Sequence, residues 1–236
     1  MQSNLSRRNF VSLAGVTSLG LYGLSNVLGA NPTEQRVSLS PDEVLQDLIE
    51  GNARFASGQP QSPRRTPKDF SLLSDSQLPE AIVIACADSR VPPELLFDQG
   101  VGDLFVVRIA GNIVSGAGSV VKGSIEYAVA ELGVKLIMVL GHSNCGAVKA
   151  AVKHINDQDP LPGSIDEMVK NIRPAVERAK QIRGDVVENS IRENVLIGVE
   201  RLKSLEPIIK EPVAAGRLKV VGAIYDLTTG RVRMTE

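Results

Sequence analysis

Leu136-Ile137-Met138-Val139-Leu140-Gly141-His142-Ser143-Asn144-Cys145-Gly146 runs from an unbroken apolar stretch into a histidine and a cysteine set three residues apart. Successive apolar side chains without alternation describe a short strand covered on both faces. Helical spacing takes over across residues 147–156, so His142 and Cys145 occupy a strand-to-helix turn. Runs of the same buried-strand type recur at 81–85, 104–109 and 218–225, separated by helical patterns at 119–132, 164–182 and 190–203. Strands that alternate with helices need crossover connections, which makes the sheet mainly parallel. The predicted fold class is α/β, a mainly parallel sheet flanked by helices. Thr228-Thr229-Gly230-Arg231 predicts a turn into a last short strand, as a hairpin.

One helix lies outside this alternation. Ser40, Pro41 and Glu43 have the layout of a capped helix start, and Val44, Leu45, Leu48, Ile49 and Phe55 repeat at helical spacing. This N-terminal arm, about 40–58, is expected to cross another surface such as a partner subunit. The prolines between 58 and 67 mark a loop. Ahead of the arm, Arg7-Arg8 precedes an uncharged apolar stretch at 11–30 that closes on Leu28-Gly29-Ala30. This layout resembles a twin-arginine export signal. The expectation is a signal at 1–30, a single domain at 31–236, and a periplasmic or otherwise exported product, membrane-anchored if the signal is retained.

Composition narrows the partners. The 236-residue chain carries a formal net charge of −1, 3% aromatic residues and no tryptophan. That balance provides no broad basic surface for nucleic acid or anionic lipid and few rings for base stacking. No stable membrane insertion is expected once the signal is cut, and a small ligand is left as the natural partner.

The chemistry concentrates in two short segments. Cys86-Ala87-Asp88-Ser89-Arg90 follows the first strand directly, and His142 and Cys145 follow the third. In open α/β sheets, ligands collect at the carboxyl ends of strands where the strand order switches. Two cysteines allow one disulfide by arithmetic, but a chain of this size does not depend on such a staple. Two thiolates and an imidazole suit zinc better than magnesium or calcium. Three protein ligands leave a fourth tetrahedral position open, as in catalytic rather than structural zinc sites. Two thiolates also cancel the ion's formal charge, so activity is expected to rise toward alkaline pH. Asp88, held ionised by Arg90, can accept a hydrogen from the reacting oxygen and aim its lone pair.

These segments resemble the β class of carbonic anhydrases. The resemblance extends through Gly102-Asp103-Leu104-Phe105-Val106-Val107-Arg108, Ala110-Gly111-Asn112 and Ile125-Glu126-Tyr127-Ala128. It implies reversible hydration of CO2 to bicarbonate and a proton by hydroxide generated on one Zn2+ per chain, in a homodimer or higher homo-oligomer. By position, Cys86, His142 and Cys145 fall on the metal ligands, and Asp88 and Arg90 on the catalytic pair. Gln77 falls on a substrate-binding glutamine that acts across the dimer interface, and Tyr127 on a pocket-region tyrosine. Ile109 stands where relatives commonly carry Asn, and Glu131 where some plant-type members carry His, which leaves the proton route unassigned. His154 is expected at the surface. Two rival functions share these residues: hydrolysis of carbonyl sulfide or carbon disulfide, and non-catalytic zinc or bicarbonate binding.

Overall fold

The computed structural model describes residues 39–235, and Ser38–Glu236 makes one compact unit. The proposed export segment, residues 1–30, lies outside the described residues. Five strands form one sheet: β1 (Ala81–Ala85), β2 (Leu104–Arg108), β3 (Leu136–His142), β4 (Lys219–Tyr225) and β5 (Val232–Thr235), in the order β2-β1-β3-β4-β5. The first four run parallel, and β5 pairs antiparallel with β4 as the expected hairpin. At its turn, the Asp226 carboxylate accepts the Thr228 and Thr229 amides at 2.7 and 3.2 Å.

Helices flank the sheet: α1 (Pro41–Ala56), α2 (Pro67–Ser71), α3 (Pro93–Leu96), α4 (Ser119–Ala130), α5 (Gly146–Asp157), α6 (Ile165–Ala179), α7 (Val186–Lys203) and α8 (Lys210–Ala214). The α/β reading is thus the observed fold. The short α2, α3 and α8 were not anticipated, because one turn is too brief to show an apolar period. The seventh helix starts at Val186 rather than 190, because the Asp185 carboxylate caps it, accepting the Val187 and Glu188 amides at 2.8 and 2.9 Å.

Side chains alternate across the sheet and build two cores. Ala81, Val83, Ala85, Leu136, Met138 and Leu140 face Val44, Leu48, Leu96 and Phe97. Ile82, Ile84, Ile137 and Val139 face Ile125 of α4 and Val195, Val199 and Leu202 of α7. A third cluster joins α5, α6 and α7 around Cys86 and Cys145.

The N-terminal arm packs on its own chain, where Val44 and Leu48 seal a sheet face that would otherwise be bare. The Asn52 amide group donates to the carbonyls of Leu96 and Gly230, both at 3.0 Å, and its oxygen accepts the Val232 amide at 2.8 Å. Close approach requires glycine at position 51, where a Cβ would stand 1.8 Å from the Phe97 carbonyl oxygen. The second strand, expected to be covered on both faces, is an edge strand whose Leu104, Phe105, Val106 and Val107 are only half-buried. An apolar run reports burial without saying what does the covering.

Candidate active site and metal centre

The parallel order β2-β1-β3-β4 has its switch between β1 and β3: the chain leaves β1 toward one side and later returns on the other. Crevices form at such points, outside the carboxyl ends of the strands. Cys86 directly follows β1, His142 is the last residue of β3, and Cys145 stands at the N-cap of α5. Their ligand atoms all lie within 4.8 Å of one another, and all three residues are buried. The sulfurs are 4.0 Å apart and both cysteines are free, about twice the ~2.05 Å of a disulfide bond. Of the two roles open to this pair, the geometry favours metal.

Local hydrogen bonds prepare each donor. Beyond β3, the Ser143 amide donates to the Tyr225 carbonyl at 2.8 Å, and the Leu227 amide donates to the Ser143 hydroxyl at 2.9 Å. This fastens the turn to the end of β4. The Ser143 carbonyl lies 3.0 Å from His142 Nδ1; a carbonyl only accepts, so the bond assigns the proton to Nδ1. His142 Nε2 then presents its lone pair, buried and without a hydrogen-bond partner among the described residues. A backbone carbonyl that fixes the imidazole tautomer is the usual support of a metal-bound histidine.

Their mutual contact pushes the two thiols in opposite directions. Cys86 is lowered to about 4, chiefly by the hydrogen bond from Cys145, against burial, with His142 and the Asp88 and Gly111 amides assisting. Cys145 is pushed up by that same bond, by burial and by the charge on Cys86. A divalent cation among them would favour both thiolates over the thiols.

Asp88 lies beside this group, its Oδ2 3.8 Å from His142 Nε2. Arg90 grips it with a fork: Nε donates to Oδ1 at 3.0 Å and Nη2 to Oδ2 at 2.8 Å, with the Arg90 amide on Oδ1 at 2.9 Å. The guanidinium, outweighing partial burial, holds the carboxyl well below the ordinary carboxylate range. Arg108 was noted in a motif but given no role. Its guanidinium donates to the Cys86 carbonyl at 3.2 Å and to the Asp88 carbonyl, so it braces the loop that carries both residues. The signal in the sequence is an arginine within the apolar run of β2; its register with Ala85 comes only with the sheet.

The remaining candidates lie elsewhere. Gln77 is exposed and lines a separate hollow of about 560 Å³ with Phe70, Leu73, Leu95 and Gly102, apart from the cysteines of its own chain. Tyr127 is 47% exposed, with its ring 6.3 Å from that of Phe105, so it is neither in the core nor among the ligands. Glu131 is exposed. His154 pairs with Asp159 at 2.7 Å, late in α5.

A parallel α/β sheet with a Cys-His-Cys cluster and an Asp–Arg pair at its switch point defines the class of molecule. A family model described as carbonic anhydrase matches residues 81–232. Carbonic anhydrase 2 of Mycobacterium tuberculosis is 41% identical over 192 residues, covering 81% of this chain and 91% of that protein. The carbonic anhydrase of Mycolicibacterium smegmatis is 39% identical over 195 residues, covering 83% and 93%. Among solved structures, the β-carbonic anhydrase CcaA superposes with a TM-score of 0.64 at 35% identity, covering 81% of this chain and 95% of that one. The tetrameric β-carbonic anhydrases of Sordaria macrospora give 0.63 at 29% identity, covering 81% and 96%. The chain belongs to the carbonic anhydrase family, in its β class, and is an enzyme of that family.

Proposed function

We propose that this enzyme catalyses the reversible hydration of CO2 to bicarbonate and a proton, with one zinc ion held by Cys86, His142 and Cys145. The observation that carries this reading is the buried, unpartnered Nε2 of His142, set among two free thiols and beside the Asp88 carboxylate. The donor set fits the ion: two sulfurs ~2.3 Å from a tetrahedral zinc stand about 3.8 Å apart, against 4.0 Å here. Bound there, zinc would supply the acidity that makes water a hydroxide nucleophile, at a pH raised by its two thiolate ligands.

The protein's own residues supply position. Arg90 occupies lone pairs on both Asp88 oxygens, which restrains the carboxylate from becoming a fourth ligand and leaves its inner edge toward the cluster. An ionised carboxylate there accepts the hydrogen of the attacking oxygen and turns an oxygen lone pair toward CO2. Arg108 keeps Asp88 and Cys86 at a fixed separation through their carbonyls. Retention of the Asp88–Arg90 pair favours catalysis over mere zinc or bicarbonate binding.

The deciding experiment is stopped-flow CO2 hydration on zinc-loaded protein, with carbonyl sulfide and carbon disulfide as competing substrates. Turnover of CO2 that strengthens toward alkaline pH supports the assignment; turnover of a sulfur analogue alone replaces it.

Assembly and location complete the reading. The half-buried edge strand β2, near exposed Phe70, Leu95 and Tyr127, supports a homo-oligomer in which Gln77 would serve a neighbouring subunit. Light scattering that returns a monomer removes it. The Arg7-Arg8 segment supports export. No helix among the described residues is long and apolar enough to cross a membrane. N-terminal sequencing of the secreted fraction checks cleavage after Ala30.

A further inference from the structure

Helix α7 carries a polar residue that neither the ligand set nor the Asp–Arg pair uses. Ile191, Val195, Gly198, Val199 and Leu202 give α7 its apolar buried face, which also takes in Ser190, Glu193 and Asn194; Asn194 is 7% exposed. Its Nδ2 donates to the Gly111 carbonyl at 2.7 Å. Gly111 belongs to the short 3-10 turn that follows β2 (Ala110–Asn112), and its own amide donates to Cys86 Sγ at 3.2 Å. One residue is therefore gripped at its oxygen by α7 while its nitrogen faces a ligand sulfur.

Gly111 has little freedom to reach this pose any other way. Its φ of 73° is left-handed, which favours glycine. A Cβ built there would stand 3.1 Å from Ile172 and 3.2 Å from Ala147, so α6 and α5 close on it from the side. The hydrogen bond from Asn194 adds a tie from α7 at the Gly111 carbonyl. Polar groups behind the ligands set both ligand direction and the electron density that a sulfur gives its ion.

We propose that Asn194 is a positioning residue for the metal centre: through the Gly111 carbonyl it aims the Gly111 amide at Cys86 Sγ, and that N–H···S bond tunes the sulfur toward its metal. The proposal rests on the reading of Cys86 as a metal ligand. It goes further by assigning a role to a residue on a distant helix.

The test separates tuning from simple support of the fold. Asn194→Leu keeps the volume and removes the donor; Val199→Ala loosens the same helix without touching the turn. In cobalt-loaded full-length protein, Asn194→Leu should move the thiolate-to-cobalt charge-transfer band to lower energy and weaken metal retention against a chelator by about tenfold. Val199→Ala should lower the melting temperature and leave the band in place. An unshifted band in Asn194→Leu overturns the proposal, as does an equal shift in Val199→Ala. If the leucine variant does not fold, cadmium-loaded wild-type protein decides instead: the Gly111 amide proton should show scalar coupling to 113Cd through the sulfur, and its absence overturns the proposal. A wild-type chain that takes up neither ion brings down the metal reading itself, and this inference with it.

Discussion

Two aspartate–arginine pairs, ten residues apart in sequence, show how one interaction serves two ends. Asp98 is fully buried, and its oxygens are taken up by the protein: Arg54 Nε of α1 at 2.8 Å, the Gln61 and Ser62 amides at 2.8 Å each, and Arg65 at 3.6 Å. It fastens α1 and the loop after it to the end of α3. Asp88 receives a two-pronged fork from Arg90, where Arg54 gives Asp98 a single bond, but Arg90 is 56% exposed and the Asp88 carboxylate keeps an edge toward His142. The first pair is closed by amides from all sides; the second remains open on the side where chemistry would occur. A depressed carboxyl therefore says little about function until the direction of its unused lone pairs is known.

The sharpest way to break the comparison is Asp88→Asn. It should cost about 10²–10³-fold in CO2 hydration, the usual weight of a positioned proton acceptor. Unfolding free energy should change by less than about 1 kcal/mol, since the lost partner is exposed, and metal content should stay near that of wild type. Stopped-flow rates beside a urea titration check both halves, and a variant that keeps its rate would make Asp88 as structural as Asp98.

Asp98→Asn should do the reverse. Leaving Arg54 without its buried partner costs about 3 kcal/mol, while activity per folded molecule remains near wild type. A rate loss without a stability loss would reverse the roles assigned to the two pairs. Gly51→Ala attacks the same junction without touching charge. Its Cβ would collide with the Phe97 carbonyl, and lifting α1 should cost about 2 kcal/mol, read as a lower urea midpoint.

The smallest effect concerns acid. Burial raises the Asp98 carboxyl, but Arg54 and the Gln61 and Ser62 amides outweigh it, and the net shift is downward. A depressed carboxyl contributes stability that is fully present above its unfolded value near pH 4 and is lost as pH falls through the lower folded value. The gap between wild type and Asp98→Asn should therefore hold from pH 7 to about 5 and narrow below 4. Urea midpoints across that range check it, and a gap that widens in acid would contradict the sign.

Much of this was legible before any coordinates. The apolar runs read at 81–85, 104–109 and 218–225 fall within a residue of β1, β2 and β4, because covered strands admit few polar side chains. For β3 the apolar run stopped at Leu140, yet pairing with β4 continues to His142 opposite Tyr225. The ladder does not need apolar side chains to continue, so hydropathy alone ended the strand early. The arm's helix, its cap and its period were readable, but its docking site was not. An amphipathic face states that something will cover it, and only the bare side of β1 and β3 shows what. The role of Asn194 is illegible for the same reason: an asparagine on a helix is ordinary until the carbonyl it meets, 83 positions away, is known.

The donors, their spacing and the alternating α/β order can be read along the chain, since those depend on residue type and on near neighbours. Tertiary structure alone decided that Cys86 meets His142 and Cys145, that Asp88 faces the cluster while Asp98 is enclosed, and that α1 returns to its own sheet. These outcomes follow from strand order and from which faces remain to be buried, and both are contacts between distant segments that no local pattern encodes.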